Sequence, residues 1–188
     1  MSTDQATYTP EDLLMMPDGE DYELVDGQLV ERQMSMESSW IAGRVFFVIE
    51  TFARATGLGW TFPEGTSFQC FADDPERVRR PDTCFILRDR LPAGPTPKGH
   101  GRVVPDLVVE VVSPNDLYEE VDRKVDEWLG AGVQLVWVVN PRSRAVTIHS
   151  PDADPHKSSG ADELTAEPVL AEFRCSVAEL FPSQEQSA

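Results

Sequence analysis

The sequence predicts a mixed α/β (α+β) fold in a single domain spanning residues 1–188. Two valine-rich runs, LVVEVV at 107–112 and LVWVVN at 135–140, read as buried strands. Two longer stretches, near 37–56 and 115–130, carry apolar residues at helical spacing. A length of 188 residues suits one sizeable core, and neither an internal repeat nor a linker divides it.

In chain order, the first 20 residues form a short acidic lead with a helical turn at PEDLLMM. YELVDGQLVER, 22–32, reads as a hairpin whose apolar-alternating arms flank Asp26-Gly27, a pair suited to a primed turn. From about Glu37 to Thr56, Trp40, Ile41, Val45, Val48, Ile49 and Phe52 recur at helical spacing, and Gly57 supplies the stop. GWTFPE and TSFQCFA are short strand candidates, DDPER a turn, and PDTCFIL a third strand. RDRLPAGPTPKGHGRVV, 88–104, is rich in Pro and Gly and reads as an exposed loop. DLVVEVV follows, then a helix from about Asn115 to Gly130, then LVWVVN. NPRSR turns into the strand VTIHS, and SPDADPHKSSGADE reads as a polar loop. EFRCSVAELF closes with a short strand and a helical turn. The core is expected over about residues 8–182, with loose ends.

Bulk properties narrow the function. Hydrophobic content of 40% and charged content of 26% are ordinary for a globular protein. No apolar run approaches the roughly 18 residues of a membrane span, and the polar N-terminus does not read as a secretory signal. Cys70, Cys84 and Cys175 lack metal-ligand spacing, which fits a reduced, cytoplasmic protein. The net charge of −17 argues against broad attraction to phosphate backbones. It leaves open a local basic groove, or carboxylates that hold divalent cations.

The chemistry concentrates in PDLVVEVVSPNDLYEEVDRK, 105–124. Glu110 interrupts a strand that otherwise reads as core, and burying an unpaired carboxylate is costly. Alternation places Asp106, Val108, Glu110 and Val112 on one face, with Asp106 and Glu110 roughly 13 Å apart. Glu110 therefore needs another partner. In RRPDTCFIL, Asp82 opens a second apolar strand; if the two strands are neighbours, Asp82 and Glu110 converge on one ion. On the next helix Leu117, Val121, Lys124 and Trp128 form one stripe, which aims Lys124 at the strand. Two carboxylates for a hard cation and a nearby ammonium make a hydrolytic arrangement.

These stretches, in this order, resemble the Uma2 family of endonucleases within the PD-(D/E)xK, restriction endonuclease-like superfamily. The resemblance rests on YELVDGQLVE, the helix with IAGR, FPEGTSF, RRPDTCFI, PDLVVEVVSPND and RKVDEWLGAGVQLVWVVNP. It implies a mixed central β-sheet flanked by helices, with an N-terminal β-hairpin. It also implies that Asp82 and Glu110 hold Mg²⁺ (or Mn²⁺), that Lys124 completes the catalytic set, and that the protein cleaves DNA as a homodimer. The lysine that the superfamily pattern expects two residues after Glu110 is replaced by Val112, and the resemblance assigns its role to Lys124. Where relatives often carry a histidine before the first long helix, this chain has MESSW, with Glu37 and Ser38. Glu64, Asp106 and Glu37 are weaker candidates for the site.

Structural alternatives stand beside each reading. Glu110 and Lys124 form, on that view, a buried ion pair that holds helix to sheet. Asp82 and Asp106 both follow prolines at strand starts, where aspartate serves turns; Asp106 would orient a loop or cap amides. Trp128 and Trp137 read as core. His100, His149 and His156 show no ligand spacing and read as surface residues. Arg79 and Arg80 read as solvated arginines or phosphate contacts, and Lys98, His100 and Arg102 as a loop that could gather over a substrate. Two rival functions remain: an inactive interaction module on the nuclease fold, and a hydrolase of a small phosphate ester.

Overall fold

The computed structural model describes residues 7–91 and 98–183; the expected loose ends beyond them, and the middle of the 88–104 loop, lie outside the described residues. Helix α1 (Pro10–Met15) starts on a reciprocal capping box between Thr9 and Asp12. Strands β1 (Tyr22–Val25) and β2 (Gln28–Glu31) form the expected hairpin. Asp26 and Gly27 turn it with φ of 51° and 73°, the left-handed pair a primed turn requires. Helix α2 (Met36–Thr56) is capped by Ser35 and stops at Gly57, whose φ is 68°.

A six-stranded sheet forms the centre: β3 (Gly59–Pro63), β4 (Thr83–Leu87), β5 (Leu107–Val111), β6 (Leu135–Asn140), β7 (Ala145–Ser150) and β8 (Ala153–Ser159), side by side in that order. Every neighbouring pair is antiparallel except β5 and β6. A parallel pair needs a crossover, and helix α3 (Tyr118–Ala131) supplies it. A second hairpin, β9 (Glu163–Ala166) and β10 (Leu170–Ser176), follows.

Alternation along the strands sorts two cores. Phe85, Leu107, Val109, Val111, Leu135, Trp137 and Val139 pack against Ile41, Val45 and Ile49 of α2 and against the β9–β10 hairpin. Cys84, Ile86, Val108 and Val136 point the other way, onto Val125 and Trp128 of α3 and onto Phe68 and Phe71. Burying each such large side chain contributes roughly 1.5–3 kcal/mol. Glu110 shares its face with Val108, so it looks toward α3.

Several local expectations change. TSFQCFA is not a strand: Phe68 alone bridges Arg79 and Gly101. Its two buried aromatics, Phe68 and Phe71, stand three apart, and residues three apart cannot share one face of a strand. The polar loop at 150–163 contains β8, an edge strand in which only Ser158 is buried. Backbone pairing to β7 holds it, so its side chains show no alternation. On α3 the buried residues are Val125 and Trp128, while Leu117 caps the helix at 63% exposure. Trp40 of α2 is likewise largely outside the core, at 47% exposure.

Candidate active site

Antiparallel pairing of β4 with β5 sets Thr83 opposite Val109. Continued by one residue, that register places Asp82 across from Glu110, on the same face. The backbone agrees: Asp82 N donates to Val109 O at 3.1 Å, and Val111 N donates to the Asp82 carboxylate at 2.6 Å. Both acids are buried, at 6% exposure each. They line one cleft with Glu23, Arg32, Arg79 and Lys124.

The electrostatics of the pair are unusual. Burial, and then the nearby Glu110 charge, push the Asp82 carboxyl up to about 7, against opposing pulls from Lys124, the Val111 amide and Arg32. Burial also raises Glu110, although Lys124 pulls it down. Trp128 Nε1 donates to Glu110 Oε1 at 2.8 Å, and Lys124 Nζ lies 3.5 Å from Oε2. Arg32 reaches Asp82 Oδ1 at 3.2 Å. The like charges of two buried carboxylates in one cleft thus remain only partly neutralised by the cations around them.

Helix α3 brings Lys124 to this point. Its ammonium also contacts Glu23 Oε2 at 3.2 Å. Burial disfavours its charge, but Glu110, Glu23 and Asp82 more than offset that and hold the group above its usual range. Lys124 is therefore an ammonium at neutral pH, not a base. Glu23 is locked in turn: Arg79 Nη1 donates to it at 2.8 Å and Arg80 N at 2.9 Å. Burial opposes its charge, yet Lys124 and Arg79 bring its carboxyl down to about 2.

Sequence reasoning singled out neither Glu23 nor Arg32. A signal for Glu23 was present: a carboxylate inside the apolar arm YELV is the same oddity as Glu110 in LVVEV. Other candidates lie elsewhere. Asp106, at 0% exposure, sits at the far end of the β4–β5 pair. Its carboxylate accepts from Leu87 N at 2.8 Å, from Gln134 Nε2 at 3.0 Å and from Arg90, which is the capping role weighed for it. Glu64 is exposed in the turn after β3 and does not line the cleft. Glu37 is exposed on the first turn of α2 and lines a separate, wider groove.

Ser38 is buried and hydrogen-bonded to Ser113 at 2.9 Å, which ties the start of α2 to the loop after β5. Arg79 and Arg80 are not solvated: Arg79 bridges Glu23 and Glu127, and Arg80 donates to the carbonyls of Tyr22, Gly65 and Gly19. Nor is His100 a surface residue. It is buried between Ser67 Oγ at 2.7 Å and Pro10 O at 2.9 Å. Lys98 and Arg102 stay exposed, and neither lines the cleft. Trp128 and Trp137 are fully buried, as expected of core.

Among the described residues, no three His, Cys, Asp or Glu side chains gather as a ligand set. Two carboxylates nevertheless fit Mg²⁺, which is bound through one or two carboxylates, with water and substrate phosphate filling the remaining positions. The mutual repulsion of Asp82 and Glu110 is what such a cation would relieve. The cleft is small, about 90 Å³, but shares Val112, Ser113, Asp116 and Val121 with a groove of about 1050 Å³.

A mixed sheet with a helix on each face, and acids paired across adjacent strands, defines the restriction endonuclease-like class. A family model described as Uma2, putative restriction endonuclease, matches residues 10–178. The chain belongs to the Uma2 family. Its structure is similar to a crystal structure of a putative nuclease belonging to DUF820 from Anabaena variabilis ATCC 29413, with a TM-score of 0.77. That likeness has 20% identity, covers 93% of this chain and 97% of the other, and establishes the fold. A search of the curated proteins returns no match. No helix among the described residues is long and apolar enough to cross a membrane.

Proposed function

We propose that this chain is a metal-dependent endonuclease that hydrolyses phosphodiester bonds in DNA, with Asp82 and Glu110 as the ligands of a Mg²⁺ or Mn²⁺ ion. One observation carries the reading: two buried carboxylates from adjacent strands face a single cleft, burial raises the proton affinity of both, and the Glu110 charge raises that of Asp82 further. Asp82 and Glu110 would hold a divalent ion there, which would supply polarisation of a phosphate oxygen and a lowered pKa for a bound water. Lys124, held as an ammonium by Glu23 and Glu110, offsets negative charge growing on the phosphate oxygens. Trp128 fixes one oxygen of Glu110 and leaves the other for the cleft. Arg32 orients Asp82 and lies near enough to meet a phosphate. The wide groove beside the cleft supports an extended substrate over a small phosphate ester. We place the protein in the cytoplasm, in keeping with three unpaired thiols.

A second reading has its own observation. Lys124 already pairs with Glu110, and Arg32 with Asp82, as an inactive module on this fold would require. Calorimetric titration of Mg²⁺ and Mn²⁺ into the wild type and Glu110→Ala, with plasmid nicking by both, separates the two. Binding and nicking that both vanish in the variant establish the nuclease. Binding without nicking points to another phosphate ester. A wild type that binds no divalent ion, even with DNA present, leaves the interaction module.

A further inference from the structure

The wide groove beside the cleft has two walls of opposite charge. Helix α3 packs through Val125 and Trp128 onto β5 and β6, and the sheet runs on past it through β7 and β8. The open angle between helix and sheet is the groove of about 1050 Å³. Along its sheet wall Val138, Thr147 and Lys157 stand in register across three strands, and Arg142 lies in the turn after β6. Along the helix wall Tyr118, Val121, Asp122, Val125 and Asp126 follow at i, i+3, i+4, i+7 and i+8, which is one helical stripe. Burial lowers the proton affinity of His149 on β7 against the pull of Asp122 and Asp126, which places both carboxylates opposite the sheet wall. Arg142, Lys157, Asp122 and Asp126 are all exposed, and among the described residues their side chains form no salt bridge or hydrogen bond.

A DNA duplex does not suit these walls. Its two backbones carry a charge every ~1.7 Å of axis, twice the density of one strand, and one backbone would lie against Asp122 and Asp126. The chain's net charge of −17 adds to that repulsion. A single strand has one backbone, which suits the wall of Arg142 and Lys157. Its other edge consists of unpaired bases, whose free N–H groups donate to carboxylates. Tyr118 supplies a third element. It is 80% exposed and stands one helical turn before Val121, which cleft and groove share. An exposed aromatic ring at that junction offers a stacking surface for one base. We propose that the groove binds a single unpaired DNA strand, with phosphates along Arg142 and Lys157, base edges on Asp122 and Asp126, and one base stacked on Tyr118. The choice of ligand rests on the nuclease reading, which it narrows from DNA in general to unpaired segments of it.

Fluorescence anisotropy tests it with a labelled oligodeoxynucleotide, presented alone and annealed to its complement, at low salt and with divalent ions chelated. The wild type is expected to bind the single strand at least about tenfold more tightly than the duplex. Tyr118→Ala should weaken single-strand binding by about tenfold, within the range for one lost base–aromatic stack, and Tyr118→Phe should keep it. Arg142→Ala with Lys157→Ala should weaken it too and flatten its salt dependence. Asp122→Asn with Asp126→Asn should raise duplex affinity and narrow the preference. All five side chains are exposed, so far-UV circular dichroism should be unchanged in every variant. A duplex bound as tightly as the single strand overturns the proposal, and so does wild-type affinity in Tyr118→Ala. Failure of the nuclease reading shows separately. Preferred single-strand binding, with no cleavage of that strand by the wild type in Mg²⁺, sinks the nuclease and leaves the groove assignment. Plasmid nicking without a preference for the single strand does the reverse.

Discussion

The two ends of the β4–β5 pair carry buried aspartates in the same local sequence, Pro81-Asp82 and Pro105-Asp106, and they behave in opposite ways. Asp106 is enclosed by three donors, from Leu87, Arg90 and Gln134. Asp82 has the Val111 amide and Arg32, but Glu110 lies across from it and its proton affinity climbs. Antiparallel pairing produces this difference, because it puts the start of β4 beside the end of β5. Burial of a carboxylate therefore does not by itself mark a candidate site; an incompletely neutralised pair is the stronger signal.

The largest expected effect breaks the comparison at the Asp82–Glu110 end. Glu110→Ala should lower DNA nicking by about 100-fold or more, within the range for loss of a group that stabilises transition-state charge. Nicking that survives in this variant would remove Glu110 from the chemistry. At the other end, Asp106→Ala strands the Leu87 amide, Arg90 and Gln134. It should cost about 2–3 kcal/mol in urea unfolding. Folded Asp106→Ala protein should still nick DNA, and a loss of cleavage as deep as that of Glu110→Ala would merge the two ends.

A subtler contrast is in pH dependence, measured with divalent ions chelated. Asp82 keeps its proton up to about 7 in the folded protein and only to about 3.8 when unfolded. Between those values the unfolded chain binds fewer protons, so this group makes stability fall as pH rises. Glu23 has the opposite sign: its folded carboxyl lies at about 2 against an ordinary 4.5. Its contribution is complete above 4.5 and fades as pH falls toward 2. Asp82→Asn should remove the downward slope between about 4 and 7 and raise Tm at pH 8 by about 2–4 °C. Mg²⁺ should raise the wild-type Tm at pH 8 and leave this variant unmoved. An unchanged slope in Asp82→Asn would assign the effect to Glu110 alone. The smallest effects belong to the exposed acids outside the cleft. Glu64→Ala and Glu37→Ala should each stay within about 0.5 kcal/mol of wild-type stability, with nicking unchanged.

Much of this molecule was legible in its sequence because local physics decided it. Asp26-Gly27 dictates the hairpin turn, helical spacing and Gly57 delimit α2, and the unbroken apolar run LVWVVN marks a central strand. The resemblance to the Uma2 family named the restriction endonuclease-like core and pointed to Asp82, Glu110 and Lys124. Strand alternation alone told that Glu110 faces the same side as Val108. What only the tertiary structure decided depends on pairing between distant segments. Antiparallel register set Asp82 opposite Glu110 and moved Asp106 to the far end, though both aspartates look alike locally. The β1–β2 hairpin carried Glu23 to Lys124 from about 100 residues away along the chain, a proximity no spacing rule reports. The edge strand β8 escaped notice for a related reason. Its order comes from backbone hydrogen bonds to β7, and backbone groups are the same in every sequence.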